Sequence, residues 1–332
     1  MRLFAAVVVA VVATRAPAQL LANLLTNPGA EAGAPSPTGF TVVPVPGWTT
    51  TSNATVVPWT IGGGFPVTTD PGPPNRGAAF FAGGPNTASS TFSQSHDVSA
   101  FAPLIDAGAA AFVLSGWLGG FATQDDQAVF TATFKSSGGG TLGTASIGPV
   151  TQAERGNATA LLYRSLAGTL PAGTRSATFT LHCVRMAGSY DDGYADELGF
   201  ALGVAASAAS LGGGCGAGAP PTLTAAPPVL GGFFNLAVAG ATPNGAGEIL
   251  FSLPGAPPLG IGPCAVHIDL GAFLSLTPVF VDALGGWTLS LPLPFDPNLA
   301  GFALVLQGYV APAPGAPLGI DLTNGVLVVA GL

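Results

Sequence analysis

Asp191, Asp192, Asp196 and Glu197 place four carboxylates within seven positions, in a chain of which only 7% is charged. From Tyr194 the sequence alternates. Tyr194, Asp196, Leu198, Phe200 and Leu202 read as one face of a strand, and Ala195, Glu197, Gly199 and Ala201 as the other. That pattern predicts Asp196 aimed into a core beside large apolar side chains. An isolated buried charge costs several kcal/mol even after relaxation, so Asp196 demands a cation or several hydrogen-bond donors.

The other reactive residue types are scattered. Asp125-Asp126, Asp191-Asp192 and Asp196-Glu197 are adjacent pairs, whose members point to opposite faces when extended. Glycoside hydrolysis needs two carboxyls about 5–9 Å apart across a cleft, from separate strands. No long insertion builds such a cleft, and a non-catalytic protein is expected; Asp125-Asp126 reads as a solvated turn. His96, His182 and His267 lack the spacing of a zinc site. No nucleophile elbow, P-loop or dinucleotide-binding glycine motif is present. Trp48, Trp59, Trp117 and Tyr190 are the flat rings on which a sugar could stack. Trp117 lies opposite Phe112 and Leu114 on its strand, which points it outward.

The positioning elements are short. Forty-nine Gly and 31 Pro in 332 residues, with mean hydropathy +0.55, exclude both a disordered polar chain and a helical bundle. Phe112 to Leu118, Gln127 to Lys135 and Ser176 to Cys183 alternate apolar and polar with period two, as half-buried antiparallel strands do. Met1 to Ala18 carries a basic Arg2, an apolar run from Leu3 to Ala13 and the small-residue site Ala16-Pro17-Ala18, the pattern of a secretory signal peptide. The expected location is therefore extracellular or at the cell surface. That run is too short to span a bilayer, and no membrane insertion of the mature chain is expected. From Met186 to Leu332 there is no Lys or Arg against nine acidic residues, which argues against nucleic acid as a partner.

Gly203 to Pro221 is uncharged, small and glycine-dense, and marks a boundary. The expected organisation is a signal peptide at 1–18, a first β-sandwich at 19–203, a linker at 204–213 and a smaller β-sandwich at 214–332. The fold class is all-β. Cys215 and Cys264 fall together in the second domain of an exported chain, and a disulfide between them is expected. Cys183 shares a face with Phe179 and Leu181 and reads as a small buried hydrophobe.

Residues 23 to 202 resemble a carbohydrate-binding-module jelly roll of the galactose-binding-like type. The resemblance rests on the opening Asn23-Leu-Leu-Thr-Asn-Pro-Gly-Ala-Glu31 followed by Gly47-Trp48, on Gln94 to Val98 and Phe112 to Leu118, and on the closing Tyr194-Ala-Asp196-Glu-Leu-Gly-Phe200. It implies a structural calcium ion (Ca2+) between Glu31 and Asp196. Carbonyls of the Asn27–Gly29 turn, or Asp191 and Asp192, could complete its oxygen ligands. Glu197 departs from the family, which usually has Asn there. Residues 214 to 332 resemble a β-rich C-terminal domain recurrent in secreted bacterial proteins, through Gly214-Cys215-Gly216, Cys264, Asp296 to Gly301 and Asn324-Gly325. The expectation is a secreted module binding carbohydrate or a cell-surface glycan, with a structural cell-surface or extracellular-matrix protein as the alternative.

Overall fold

The computed structural model describes residues 21–332, and the expected signal peptide lies outside them. The described chain forms two compact units, 21–202 and 203–332.

The first unit holds ten strands: β1 (Thr49–Thr51), β2 (Thr55–Pro58), β3 (Ala79–Pro85), β4 (Ser89–Asp97), β5 (Ala110–Gly120), β6 (Gln127–Lys135), β7 (Thr141–Ile147), β8 (Ala160–Thr169), β9 (Ser176–Val184) and β10 (Tyr190–Val204). They make two five-stranded sheets, ordered β1-β4-β9-β6-β7 and β2-β3-β10-β5-β8. Alternation along β6 and β9 turns Phe130, Phe134, Phe179 and Leu181 to the space between the sheets. There Phe81 meets Phe92 at 5.1 Å, Phe112 meets Phe134 at 5.1 Å and Phe179 meets Phe200 at 4.8 Å. Burying each such ring stabilises by roughly 1.5–3 kcal/mol, and the edge contacts add about 0.5–1.5 kcal/mol per pair. The sandwich follows from these rings.

The outer faces of the two sheets differ. On β1-β4-β9-β6-β7, one row across all five strands reads Thr49, Ser93, Thr180, Thr131, Ser146. Hydroxyls there satisfy one another across strands, as in Thr51–Thr91, Ser95–Thr178 and Thr131–Ser146, each at 2.8 Å. Part of the outer face of the second sheet carries a smaller apolar core of Val57, Trp59, Phe65, Phe80, Ala82, Leu161, Tyr190 and Tyr194. A strap over residues 59–78 covers it. Arg76 fastens the strap, donating to the carbonyls of Pro73, Val67 and Asp70 while its guanidinium sits 4.6 Å from the Trp59 ring centroid.

The second unit carries β11 (Ser207–Gly212), β12 (Thr222–Ala225), β13 (Phe233–Ala239), β14 (Ala246–Ser252), β15 (Leu259–Ile261), β16 (Cys264–Val266), β17 (Phe273–Phe280), β18 (Trp287–Pro292), β19 (Ala303–Ala311), β20 (Asp321–Leu322) and β21 (Gly325–Val329). A sheet ordered β11-β21-β19-β14-β17, with β20 beside β19, packs on the three-stranded sheet β12-β13-β18. Leu223, Leu236 and Val238 from one sheet bury against Ile249, Leu306 and Val328 from the other. The stretch expected as a linker is instead structured. Ser207–Gly212 pairs with Gly325–Val329, because small residues make an edge strand once a partner supplies the ladder bonds.

Cys215 and Cys264 form the expected disulfide, with 5.1 Å between Cα atoms and 49 residues of separation. Among the described residues no helix is long and apolar enough to cross a membrane.

Candidate functional site

Asn27 and Ala30 adopt left-handed backbone at φ 50° and 60°, which folds residues 27–31 into a tight turn. Asn27 pins it with both ends of its amide: Nδ2 donates to Pro46 O at 2.9 Å, and Oδ1 accepts from Ala32 N at 2.9 Å. Trp48 Nε1 donates to Asn27 O at 3.0 Å. Gly47 at φ 85° leaves no room for a side chain, since a Cβ there would lie 2.7 Å from Thr26 Cγ2. The Gly47-Trp48 pair thus fixes the turn that presents Glu31.

Glu31 accepts from Ala78 N and Ala79 N, at 2.9 and 3.0 Å from Oε1. Asp196 is fully buried; its Oδ1 accepts from Glu197 N at 2.7 Å and its Oδ2 from Trp59 Nε1 at 3.2 Å. Gly29 lies over the pair, where a Cβ would sit 2.9 Å from Glu197 Oε1 and 3.6 Å from Asp196 Oδ1. Burial, then the charges of Glu197 and Glu31, push the Asp196 carboxyl up to about 9. Glu197 is raised for the same reasons, burial first and Glu31 second. The ion pairs of the described residues, Arg164–Glu154 and Arg175–Asp106, supply no positive charge here. Three carboxylates share this place without a cation from the protein.

Asp196 does not share a face with Leu198 and Phe200, as strict alternation predicted. Ala195 pairs with Phe81, whose ring points between the sheets, and Phe200 points there too. Glu197 at φ 47° is the extra residue that breaks the period, as a β-bulge does. Asp196 therefore sits on the outer face with Tyr194 and Trp59, and Glu197 is drawn to the Glu31 turn. Asp191 and Asp192 lie in a different group around Asp126 and Tyr194. Asp126 is likewise no solvated turn residue: it is buried and accepts from the N–H groups of Met186, Ala187 and Asp192. No three His, Cys, Asp or Glu side chains among the described residues are grouped closely enough to hold a metal by themselves. A cation at Glu31 and Asp196 would need main-chain carbonyls as well. Asn27 O and Pro28 O are already engaged, by Trp48 and Leu198, while Ala79 O lies 3.2 Å from the same indole nitrogen as Asp196.

Of the four aromatic candidates, three are packing residues. Trp48 lies against Phe81 and Trp59 against Phe80, while Tyr190 buries its ring by Phe65 and donates its hydroxyl to Gly39 O. Trp117 faces outward as its strand phase required and remains part-exposed. Its register partner is Tyr163, 50% exposed, with 5.7 Å between ring centroids. Ser115 and Ser165 pair on the same face two residues away. Tyr163 was legible only as a polar interruption in Leu161-Leu162-Tyr163-Arg164, and its value comes from the register.

No family model and no curated protein matches this chain. Among solved structures it is similar to the N-terminal CBM22-1–CBM22-2 tandem domain of Paenibacillus barcinonensis Xyn10C, at 11% identity and a TM-score of 0.30, over 95% of this chain and 91% of that one. It is similar to the tandem CBM51 modules of Sp3GH98, the family 98 glycoside hydrolase of Streptococcus pneumoniae SP3-BS71, at 8% identity and a TM-score of 0.22, over 83% and 88%. It is also similar to the enzymatically active domain of bacteriophage CBA120 tailspike protein 4, at 16% identity and a TM-score of 0.33, over 54% of this chain and 21% of that one. The chain thus spans about a fifth of the tailspike domain's length. Likenesses of this degree say nothing about what this chain binds.

Proposed function

We propose that the first unit is a non-catalytic glycan-binding β-sandwich, secreted through the leader at 1–18 and braced by calcium at Glu31 and Asp196. The observation that carries the reading is the Trp117–Tyr163 pair: two adjacent rings, one half open, on a sheet face flanked by the hydroxyls of Ser115 and Ser165. Sugars stack their apolar faces on such rings and use nearby hydroxyls for orientation. The residues at Glu31 suit Ca2+, which takes hard oxygen ligands from carboxylates and main-chain carbonyls. Asp196, buried among like charges, gains a counter-ion there, and Glu197 adds a third carboxylate.

The test is binding of the purified chain to a glycan array and to insoluble polysaccharides, with Tyr163→Ala and Trp117→Ala alongside. Loss of binding by at least about tenfold in both variants supports the platform; each tenfold is about 1.4 kcal/mol. Retained binding in both sinks it, and released reducing ends would identify a hydrolase instead.

A second reading has its own observation. The hydroxyls on the outer face of β1-β4-β9-β6-β7 already pair with one another and offer no ring. Such a face suits a structural spacer at the cell surface, and absence of binding to any glycan would favour it.

A further inference from the structure

One end of the first unit, where loops 121–126 and 186–189 meet the start of β10, buries three carboxylates together. Asp126, 1% exposed, is fully occupied: Oδ1 accepts from Met186 N at 2.6 Å and Ala187 N at 2.9 Å, and Oδ2 from Asp192 N at 2.8 Å. Asp192 Oδ1 accepts from the Tyr194 hydroxyl. Asp191 is fully buried; its Oδ1 accepts from Gly193 N at 3.2 Å, and its Oδ2 has no partner. Its carboxyl fills the space a side chain at Gly83 would take, since a Cβ there would lie 2.2 Å from Asp191 Cγ.

The surrounding charges do not balance this group. Asp191 faces Asp126, Asp192, Arg185, Tyr190 and the Cys183 thiol; Asp192 faces Asp126, Arg155, Tyr190 and Tyr194. Arg155, which Asp125 also faces, spends Nη2 on the carbonyls of Ala122 at 3.2 Å and Gln124 at 2.7 Å. Arg185 gives Nη1 to Ser189 O at 3.0 Å. Asp126 already takes three N–H donors on its two oxygens. Two more anions beside it, out of water, carry a desolvation cost that two backbone or hydroxyl contacts do not offset.

We propose that Asp191 and Asp192 hold protons in the folded unit, making this end of the sandwich a proton-binding latch at the start of β10. Burial foremost, then the neighbouring carboxylates, raises Asp191 to about 7 and Asp192 to about 6, against an ordinary value of 3.8. Both folded values lie above the unfolded one. As pH rises from about 4 the unfolded chain releases these protons first, so the latch's contribution to stability, full below about 4, is lost by about 7.

The experiment compares the full chain with its Asp191→Asn/Asp192→Asn variant, which copies the protonated pair, in calcium-saturated buffer from pH 4.5 to 8. The difference cancels the separate Asp196 site, because distant sites add. The wild-type melting temperature is expected to fall relative to the variant's by about 5 °C across that window. Parallel curves overturn the proposal. Should the variant fail to fold, carboxyl-carbon NMR of the wild type decides: midpoints for Asp191 and Asp192 near 6–7 uphold it, and midpoints below 5 overturn it.

Discussion

Trp59 Nε1 reaches Asp196 Oδ2 at 3.2 Å across 137 positions of sequence, and lies equally far from Ala79 O. One shared N–H is thus half of what the buried carboxylate receives from the protein. Trp59→Phe keeps most of the apolar packing and removes that donor. A loss of about 1–3 kcal/mol in urea unfolding is expected, the cost of leaving a buried acceptor unmatched. A neutral result would mean Asp196 takes its support elsewhere.

If calcium braces this place, chelator lowers the melting temperature of the first unit by several degrees and added Ca2+ restores it. Glu31→Gln and Asp196→Asn each abolish the difference. Equal melting temperatures with and without calcium in the wild type rule the ion out.

The metal-free protein carries a pH signature. Its Asp196 titrates near 9 when folded and near 3.8 when unfolded, so the unfolded chain loses that proton first. Stability from this group is complete below about pH 4 and declines up to about pH 9. Calcium replaces the proton, so the stabilisation it confers should grow over the same range. Melting curves at pH 5, 7 and 9, with and without the ion, check the slope; a calcium effect that shrinks with pH contradicts it.

Tyr163→Ala removes a ring that is half exposed and lies 5.7 Å from that of Trp117, centroid to centroid. Glycan affinity should drop at least about tenfold, while unfolding changes by under about 0.5–1 kcal/mol. Calorimetric titration alongside urea curves separates the two effects.

In the second unit the Cys215–Cys264 bridge closes 49 residues, a constraint worth about 4 kcal/mol in the chain-entropy account. Cys215→Ser with Cys264→Ser should lower that unit's melting transition by several degrees and leave the first unit's unchanged. Coincident loss of both transitions would show that the bridge does more than shorten the unfolded chain.

Strand positions were legible because two-residue alternation at Phe130, Phe134, Phe179 and Leu181 reports burial directly. What alternation could not show was the left-handed step at Glu197, since any non-glycine residue in that conformation is uncommon and nothing in its type announces it. One bulge moved Asp196 to the other face and brought Glu197 to Glu31. Trp59 and Tyr190 were misjudged for a related reason: the strap that packs with them is a Gly/Pro segment whose path depends on Arg76 and on no periodic pattern, while Trp48 is spent on Phe81.

The paired hydroxyls on β1-β4-β9-β6-β7 bear on how such a weakly charged chain stays dispersed. Copies of most proteins are held apart by like charge, which added salt screens and which vanishes at the isoelectric point. Here a row of Ser and Thr crosses all five strands of a sheet without ionising. Its owner should remain in solution near pH 4.5 and in concentrated salt, where a charge-stabilised chain of equal hydropathy would precipitate.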